Sequence, residues 1–292
     1  MMENVLSAVA ILMGLGLVFS TILAIANKKL RVYEDPRIDQ VEEMLPGTNC
    51  GACGSPGCRA FAEQLVNSEA TPGGCTVSSS DNVESIATFL GVDPGFAEKR
   101  TARLLCAGGK AEARDEIEYH GVETCRSMTV VTGGNKGCVW GCLGLGDCEL
   151  ACTFNVITMN ENGLPVVDVN GCTACGDCVD ICPKHLFTIM PVSQKLIVQC
   201  RSLLEGEAAE RLCSVACNAC ERCAADAAPG LIEMRNNLPV INYANNELAH
   251  PKATKRCPTN AICWVEGNQF EYRKSRSLPL GRVEVFRSEE TV

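Results

Sequence analysis

Between Cys138 and Cys182 the chain sets eight cysteines in two groups, Cys138, Cys142, Cys148, Cys152 and then Cys172, Cys175, Cys178, Cys182. No other feature narrows the possible folds so far. The second group reads C-T-A-C-G-D-C-V-D-I-C-P, a C-x2-C-x2-C-x3-C-P run. In such a run three thiolates on a short loop converge on one cubane, while the fourth is carried off by a helix to a companion cluster. The first group is looser, with Thr153 where that pattern has proline. By crossover, Cys138, Cys142, Cys148 and Cys182 are expected to hold one [4Fe-4S] cluster, and Cys152, Cys172, Cys175 and Cys178 another. Zinc also takes four cysteines, but in paired knuckles rather than as a triplet with a remote fourth. Disulfides fit less well, since 21 cysteines is an odd number and they fall in triplets instead of scattered pairs.

A chain of 292 residues has room for about two average domains, and metal-nucleated modules can be far smaller. From Val5 to Ala26 no residue is charged, a run that as a helix can cross a hydrocarbon core. Glu3 precedes the run and Lys28, Lys29 and Arg31 follow it, the reverse of a signal peptide. The positive-inside rule then puts the rest of the chain in the cytoplasm, where thiols stay reduced and available to metal.

Next comes D-P-R-I-D-Q-V-E-E-M-L-P-G, a short helix with Asp35 as cap, Pro36 at its first position and Ile38, Val41 and Leu45 on one stripe. Directly after it, Cys50, Cys53 and Cys58 stand in a glycine-rich loop, and Cys75 follows a predicted helix. Glycines permit the turns and the close approach an inorganic core needs, so these four are expected to bind a further cluster. Residues 81–104 read as two helices, D-N-V-E-S-I-A-T-F-L-G with Asp81 as cap and Gly91 as stop, and P-G-F-A-E-K-R-T-A-R.

The segments V-I-T-M-N-E-N-G-L-P-V-V-D and L-F-T-I-M-P-V-S-Q-K-L-I-V-Q-C read as hairpins. The pattern recurs at L-I-E-M-R-N-N-L-P-V-I-N-Y and A-I-C-W-V-E-G-N-Q-F-E-Y, which implies two ferredoxin-like modules in tandem. In the second module Cys217, Cys220 and Cys223 form a triplet, and Cys257 precedes Pro258. The other four ligand positions are Ala227, Glu247, His250 and Ala253. Under crossover those four are the whole ligand set of one cluster, so one cluster is deleted and the other, on Cys217, Cys220, Cys223 and Cys257, is retained.

A formal charge of -9, with aromatics at only 5%, argues against nucleic acid as partner. G-L-G at Gly144 to Gly146 lacks a third glycine and is no dinucleotide loop. His120, His185 and His250 stand far apart and join no catalytic constellation. The chain shows no substrate-converting site of its own.

The apolar run, the D-P-R-I-D-Q-V-E-E-M-L-P-G-T-N-C-G-A-C-G-S-P-G-C segment and the ferredoxin repeats together resemble the B-subunit family of Rnf complexes, the ion-translocating ferredoxin:NAD oxidoreductases. The resemblance covers nearly the whole chain and departs from the family's frequent pattern in the second repeat. It implies a membrane-anchored electron-transfer subunit of a translocase. Soluble ferredoxin would be its donor, other subunits its partners, and lipid would surround residues 5–26. The implied location is single-pass in the bacterial cytoplasmic (inner) membrane. A complex that reduces a redox-sensing transcription factor would use the same relay; a structural zinc adaptor is the alternative of a different class.

The expected fold is α+β. It comprises a transmembrane anchor at 1–30, a small helical [4Fe-4S] domain at 31–92, a connecting segment at 93–132, a two-cluster ferredoxin-like domain at 133–200, a second such domain keeping one cluster at 201–275, and a tail at 276–292. Four [4Fe-4S] clusters are expected. Cys106, Cys125, Cys200 and Cys213 remain outside any motif, either as buried thiols or as one further metal site that clamps residues 100–130 to the repeats. Cys263 is set aside as part of a strand.

Overall fold

The computed structural model describes residues 2–30, 34–96 and 98–270. The expected tail at 276–292, and residues 271–275 of the second repeat, lie outside them. The fold is a mixed one of helices and small sheets, divided into two compact units. The first takes the chain up to Asn49, Ser55–Pro72 and Ser78–Pro94. The second takes Cys50–Gly54, Gly73–Val77 and the chain from Gly95 on.

In the first unit, helix α1 (Met2–Leu30) is the one helix among the described residues long and apolar enough to cross a membrane, over Ile11–Lys29. Its side chains over that stretch are exposed. The hydroxyls of Ser20 and Thr21 donate back to the Leu17 carbonyl, so they leave no unpaired donor on an apolar surface. Helix α2 (Pro36–Met44) starts where Asp35 accepts from the Arg37 N–H, and it buries Ile38, Val41 and the following Leu45. Helix α3 (Cys58–Val66) buries Phe61, Ala62 and Leu65. On its outer face Arg59 pairs with Glu34, Asp39 and Glu42, exposed contacts that contribute little stability. Helix α4 (Ser80–Leu90) ends at Gly91, whose φ of 68° suits a residue without a Cβ. Ser79, not the expected Asp81, is its cap; Asp81 lies in the first turn, where a negative charge meets the positive end of the helix.

The second helix expected within 81–104 is absent. Arg100–Leu104 is strand β1 instead, and it begins the second unit's ordered elements. These continue as α5 (Cys125–Thr132), α6 (Asp147–Leu150), β2 (Ile157–Met159), β3 (Pro165–Val167), α7 (Asp177–Ile181), β4 (Phe187–Pro191), β5 (Leu196–Val198), α8 (Gly206–Leu212), α9 (Arg222–Asp226), β6 (Ile232–Arg235), β7 (Leu238–Ile241) and β8 (Ile262–Trp264). Four antiparallel ribbons result, β1 with β4, β2 with β3, β5 with β8 and β6 with β7.

Only two of the four expected hairpins are local. β6 and β7 close through Asn236 and Asn237, both at positive φ, the geometry of a tight hairpin turn. β2 and β3 close through Asn160 to Leu164, with the Asn160 side chain accepting from the Leu164 N–H. β4 and β5 do not pair with each other. The Val192 N–H, at the end of β4, donates to the Lys99 carbonyl at 2.9 Å, so β4 runs beside β1 in the register Arg100↔Pro191 to Leu104↔Phe187. β5 in turn pairs with β8. The last segment therefore supplies one strand, and its continuation straps β1: Gln269 both accepts from the Leu104 N–H and donates to the Leu104 carbonyl. Residues 271 and 272 of that segment lie outside the described residues.

Elements this short cannot stand alone. Two apolar clusters hold them. One joins Leu104, Ile157, Leu164, Val167, Leu186 and Phe187 around Cys152 and Cys178. The other joins Leu196, Leu231, Ile232, Ile241 and Ile262 beside Cys223.

Candidate metal centres

Three cavities in the second unit are each walled by four cysteines. Cys152, Cys172, Cys175 and Cys178 line one of about 310 Å³, closed off by Ala102, Phe154, Val156, Ile157 and Ile189. Cys217, Cys220, Cys223 and Cys257 line another of about 310 Å³, against Met234, Pro239 and Ile262. In both, two cysteines of the triplet sit on the loop entering a one-turn helix, α7 or α9, the third lies in that helix, and the fourth sulfur comes from elsewhere in the chain. These are the two quartets that the spacing groups together.

The third cavity, of about 380 Å³, is lined by Cys125, Cys142, Cys148 and Cys182. Cys138, expected here, does not line it; Cys125, unassigned from the sequence, does. The cause lies in backbone hydrogen bonds. Asp147, next to Cys148, accepts from the N–H groups of Cys125 and Arg126 at 2.9 and 3.1 Å, which ties the start of α5 to this cavity. The segment before Cys138 is drawn the other way: Asp115 bridges to Lys136 and the Gly137 N–H donates to the Arg114 carbonyl.

The four N-terminal cysteines are divided between the units. Cys50, Cys53 and Cys75 belong to the second, whereas Cys58, at the start of α3, belongs to the first, where its N–H donates to Asn49 Oδ1.

The surroundings of the sulfurs bear on what they hold. Burial pushes the Cys178 and Cys148 thiols up to about 12 and those of Cys217 and Cys223 up to about 11, and raises Cys142 further. Such thiols stay neutral unless a cation replaces the proton. Backbone N–H groups two residues further on are already aimed at several sulfurs, Gly144 at Cys142, Asp177 at Cys175 and Ala219 at Cys217, and they favour the charged form. Arg103 is 1% exposed and donates only to the Gly267 carbonyl, at 2.8 Å. Its Nε and Nη2 have no partner among the described residues; burial lowers its pKa, and charge on Cys263 and Cys172 acts the other way. A buried guanidinium needs an anion, and a thiolate-ligated cluster supplies one. Among the described residues, no group of three or more His, Cys, Asp or Glu side chains is arranged to hold a single metal ion. Zinc-sulfur bonds of about 2.3 Å draw thiolates close together, whereas a cubane keeps them apart. Four cysteines around each cavity, three of them closely spaced in sequence in two of the three cases, fit a thiolate-ligated cluster.

At the positions where the spacing lacks ligands for a companion cluster, the side chains pack or cap instead. Ala253 is buried and Ala227 packs against the same core as Leu231 and Ile262. His250 caps a 3-10 turn, its Nδ1 accepting from the Lys252 N–H at 3.1 Å.

Loops of cysteine triplets around apolar cavities define the class: an iron-sulfur protein. A family model described as "Putative Fe-S cluster" matches residues 45–77, the stretch that carries Cys50, Cys53, Cys58 and Cys75. Among curated proteins, the chain is 39% identical to the B subunit of the Na(+)-translocating ferredoxin:NAD(+) oxidoreductase complex of Acetobacterium woodii, over 94% of this chain and 81% of that one. It is 36% identical to the B subunit of the ion-translocating oxidoreductase complex of Methanosarcina acetivorans, over 90% and 99%. It is 35% identical to the B subunit of the proton-translocating ferredoxin:NAD(+) oxidoreductase complex of Clostridium ljungdahlii, over 89% and 93%. The chain belongs to the B-subunit family of ion-translocating (Rnf) oxidoreductase complexes.

Proposed function

We propose that this chain is the membrane-anchored iron-sulfur electron-transfer subunit of an ion-translocating ferredoxin:NAD oxidoreductase, taking electrons from soluble ferredoxin and passing them to partner subunits. The observation that carries the reading is the cysteine-walled cavities in a chain alike over nearly its whole length to such subunits. A bound [4Fe-4S] cluster supplies one-electron chemistry. The residues supply its setting: four thiolates at each site, backbone N–H groups facing the sulfurs, and the Arg103 cation.

Four ligand sets follow. Three are supported by the cavities, Cys125, Cys142, Cys148 and Cys182; Cys152, Cys172, Cys175 and Cys178; and Cys217, Cys220, Cys223 and Cys257; the fourth, Cys50, Cys53, Cys58 and Cys75, rests on sequence spacing and the family model alone. The tandem ferredoxin-like organisation is supported by the hairpins β2–β3 and β6–β7, each following a short helix that bears ligand cysteines. Helix α1 would anchor the chain in lipid, with Lys28 and Lys29 on the cytoplasmic side.

The test is anaerobic mixing of the full-length protein, in detergent, with reduced ferredoxin. Bleaching of its broad visible absorbance is expected. If dithionite bleaches it and ferredoxin does not, ferredoxin is not the donor.

A further inference from the structure

Five buried or half-buried cysteines remain in the second unit, and the fold brings four of them together, leaving Cys263 apart. The Ala107 N–H donates to the Gln199 carbonyl at 3.0 Å, which sets Cys106 beside Cys200. Ala113 bridges to Cys213, while Arg114 bonds both ways, its N–H to the Leu212 carbonyl and its carbonyl to the Gly137 N–H. That ties Cys213 and Cys138 to one segment. A Cβ placed on Gly108 would meet the Cys213 sulfur at 2.9 Å and the Cys106 sulfur at 3.8 Å, so this glycine leaves room for both. We infer that Cys106, Cys138, Cys200 and Cys213 form a fifth thiolate site, of [4Fe-4S] type, lying between the Cys142 cavity and the Cys217 cavity.

Three features support it. The sulfurs are near enough that charge on one would act on another: Cys213 with Cys106, Cys138 and Cys200, and Cys138 with Cys106 and Cys200. They also repeat the backbone pattern of the other sites, with the N–H two residues on aimed at the sulfur: Trp140 at Cys138, Ser202 at Cys200 and Val215 at Cys213. A buried cation stands by, since Lys136 is 7% exposed, donates to the Gly108 carbonyl at 2.8 Å and lies where its charge favours the Cys138 and Cys142 thiolates. Four desolvated thiols around a lysine are a poor core but a suitable cradle for an anionic cluster.

The position follows from two hydrogen bonds. The Cys142 N–H donates to the Cys106 sulfur and the Cys217 N–H to the Cys200 sulfur, each at 3.3 Å. Cys142 lines one cavity and Cys217 the other, so the fifth site touches a ligand of each. It thereby joins the centre retained in the second repeat to the first repeat. The inference rests on the iron-sulfur reading proposed above.

The experiment is iron, sulfide and zinc analysis with spin-resonance spectroscopy of the anaerobically purified full-length protein and its variants. With five cubanes the wild type carries about 20 iron and about 20 sulfide per chain. C106S, C138S, C200S and C213S each lose about four iron and the same spectral component, and C106S/C213S loses no more than either alone. The magnetic broadening between the components lost in C182S and in C257S should disappear in C106S. C263S, outside all five sets, keeps every component. A wild type with about 16 iron, with or without one zinc, overturns the fifth site and leaves the other four standing. So does an unchanged iron count in the four single variants. A protein with no iron or sulfide overturns the iron-sulfur reading itself. If a variant does not accumulate, the wild-type count decides.

Discussion

Replacing Arg103 by methionine should make the centre held by Cys152, Cys172, Cys175 and Cys178 harder to reduce. The guanidinium is almost fully buried, makes one hydrogen bond, to the Gly267 carbonyl, and leaves two nitrogens unpartnered. Burial lowers its pKa while charge on Cys263 and Cys172 acts the other way, so an anionic cluster on Cys172 would help to keep it cationic. Two unit charges about 8 Å apart at an effective dielectric of about 20 interact by about 2 kcal/mol, which for a one-electron couple is roughly 90 mV. Adding an electron raises the negative charge beside the arginine, so losing the cation shifts the midpoint to more negative potential, by several tens of millivolts once screening is allowed for. Methionine preserves much of the volume and removes the two orphaned donors, so the fold should tolerate it. A spin-resonance redox titration of wild type and R103M, with the component identified by its loss in C178S, reads the shift directly. An unchanged midpoint, or a shift confined to the component lost in C148S, would refute the placement of this charge.

Further outcomes follow from the same geometry. C125S should lose the component lost in C182S, about four iron atoms, and C125S/C182S should lose no more; metal analysis showing about eight lost would separate the two residues. C220S and C257S should likewise lose one common component, whereas H250A should lose none. L104A removes a side chain that is 1% exposed and lines the Cys142 cavity. It should destabilise the protein by about 2–5 kcal/mol, measured by denaturant titration, and speed loss of the component assigned by C148S. A reporter joined after Val292 should be active in the cytoplasm, and activity only outside the membrane would reverse the orientation drawn from Lys28 and Lys29.

The sequence is most legible where ligands are close together. The triplets at Cys172 and Cys217 fix three walls of a cavity by loop geometry alone, and the crossover rule finds Cys152 and Cys257. Cys125 could not be read this way, because its place depends on Asp147 accepting from the start of α5, a contact between residues with no periodic relation. Cys138 differs for the complementary reason: it stands near Cys142 in sequence, but with Lys136 and Gly137 bonded to the 113–115 segment it does not line the Cys142 cavity. The same competition misassigned β1. R-T-A-R-L has reasonable helix formers, yet pairing with β4 and the clasp of Gln269 on Leu104 override that local preference. Caps and turns were readable wherever chemistry is local, as at Asp35, Gly91 and the Asn236–Asn237 turn, although at α4 the cap moved from Asp81 to Ser79.

The account stands or falls on whether these cysteines carry iron and sulfide and pass electrons. The most direct measurement is metal and acid-labile sulfide quantitation of the full-length chain purified without oxygen, followed by reductive titration of the same sample. The account predicts iron and sulfide in equal amounts, at least about 16 of each per chain, and a visible absorbance that bleaches on reduction and returns on oxidation. Zinc in place of iron, without sulfide and without a reducible chromophore, would contradict it.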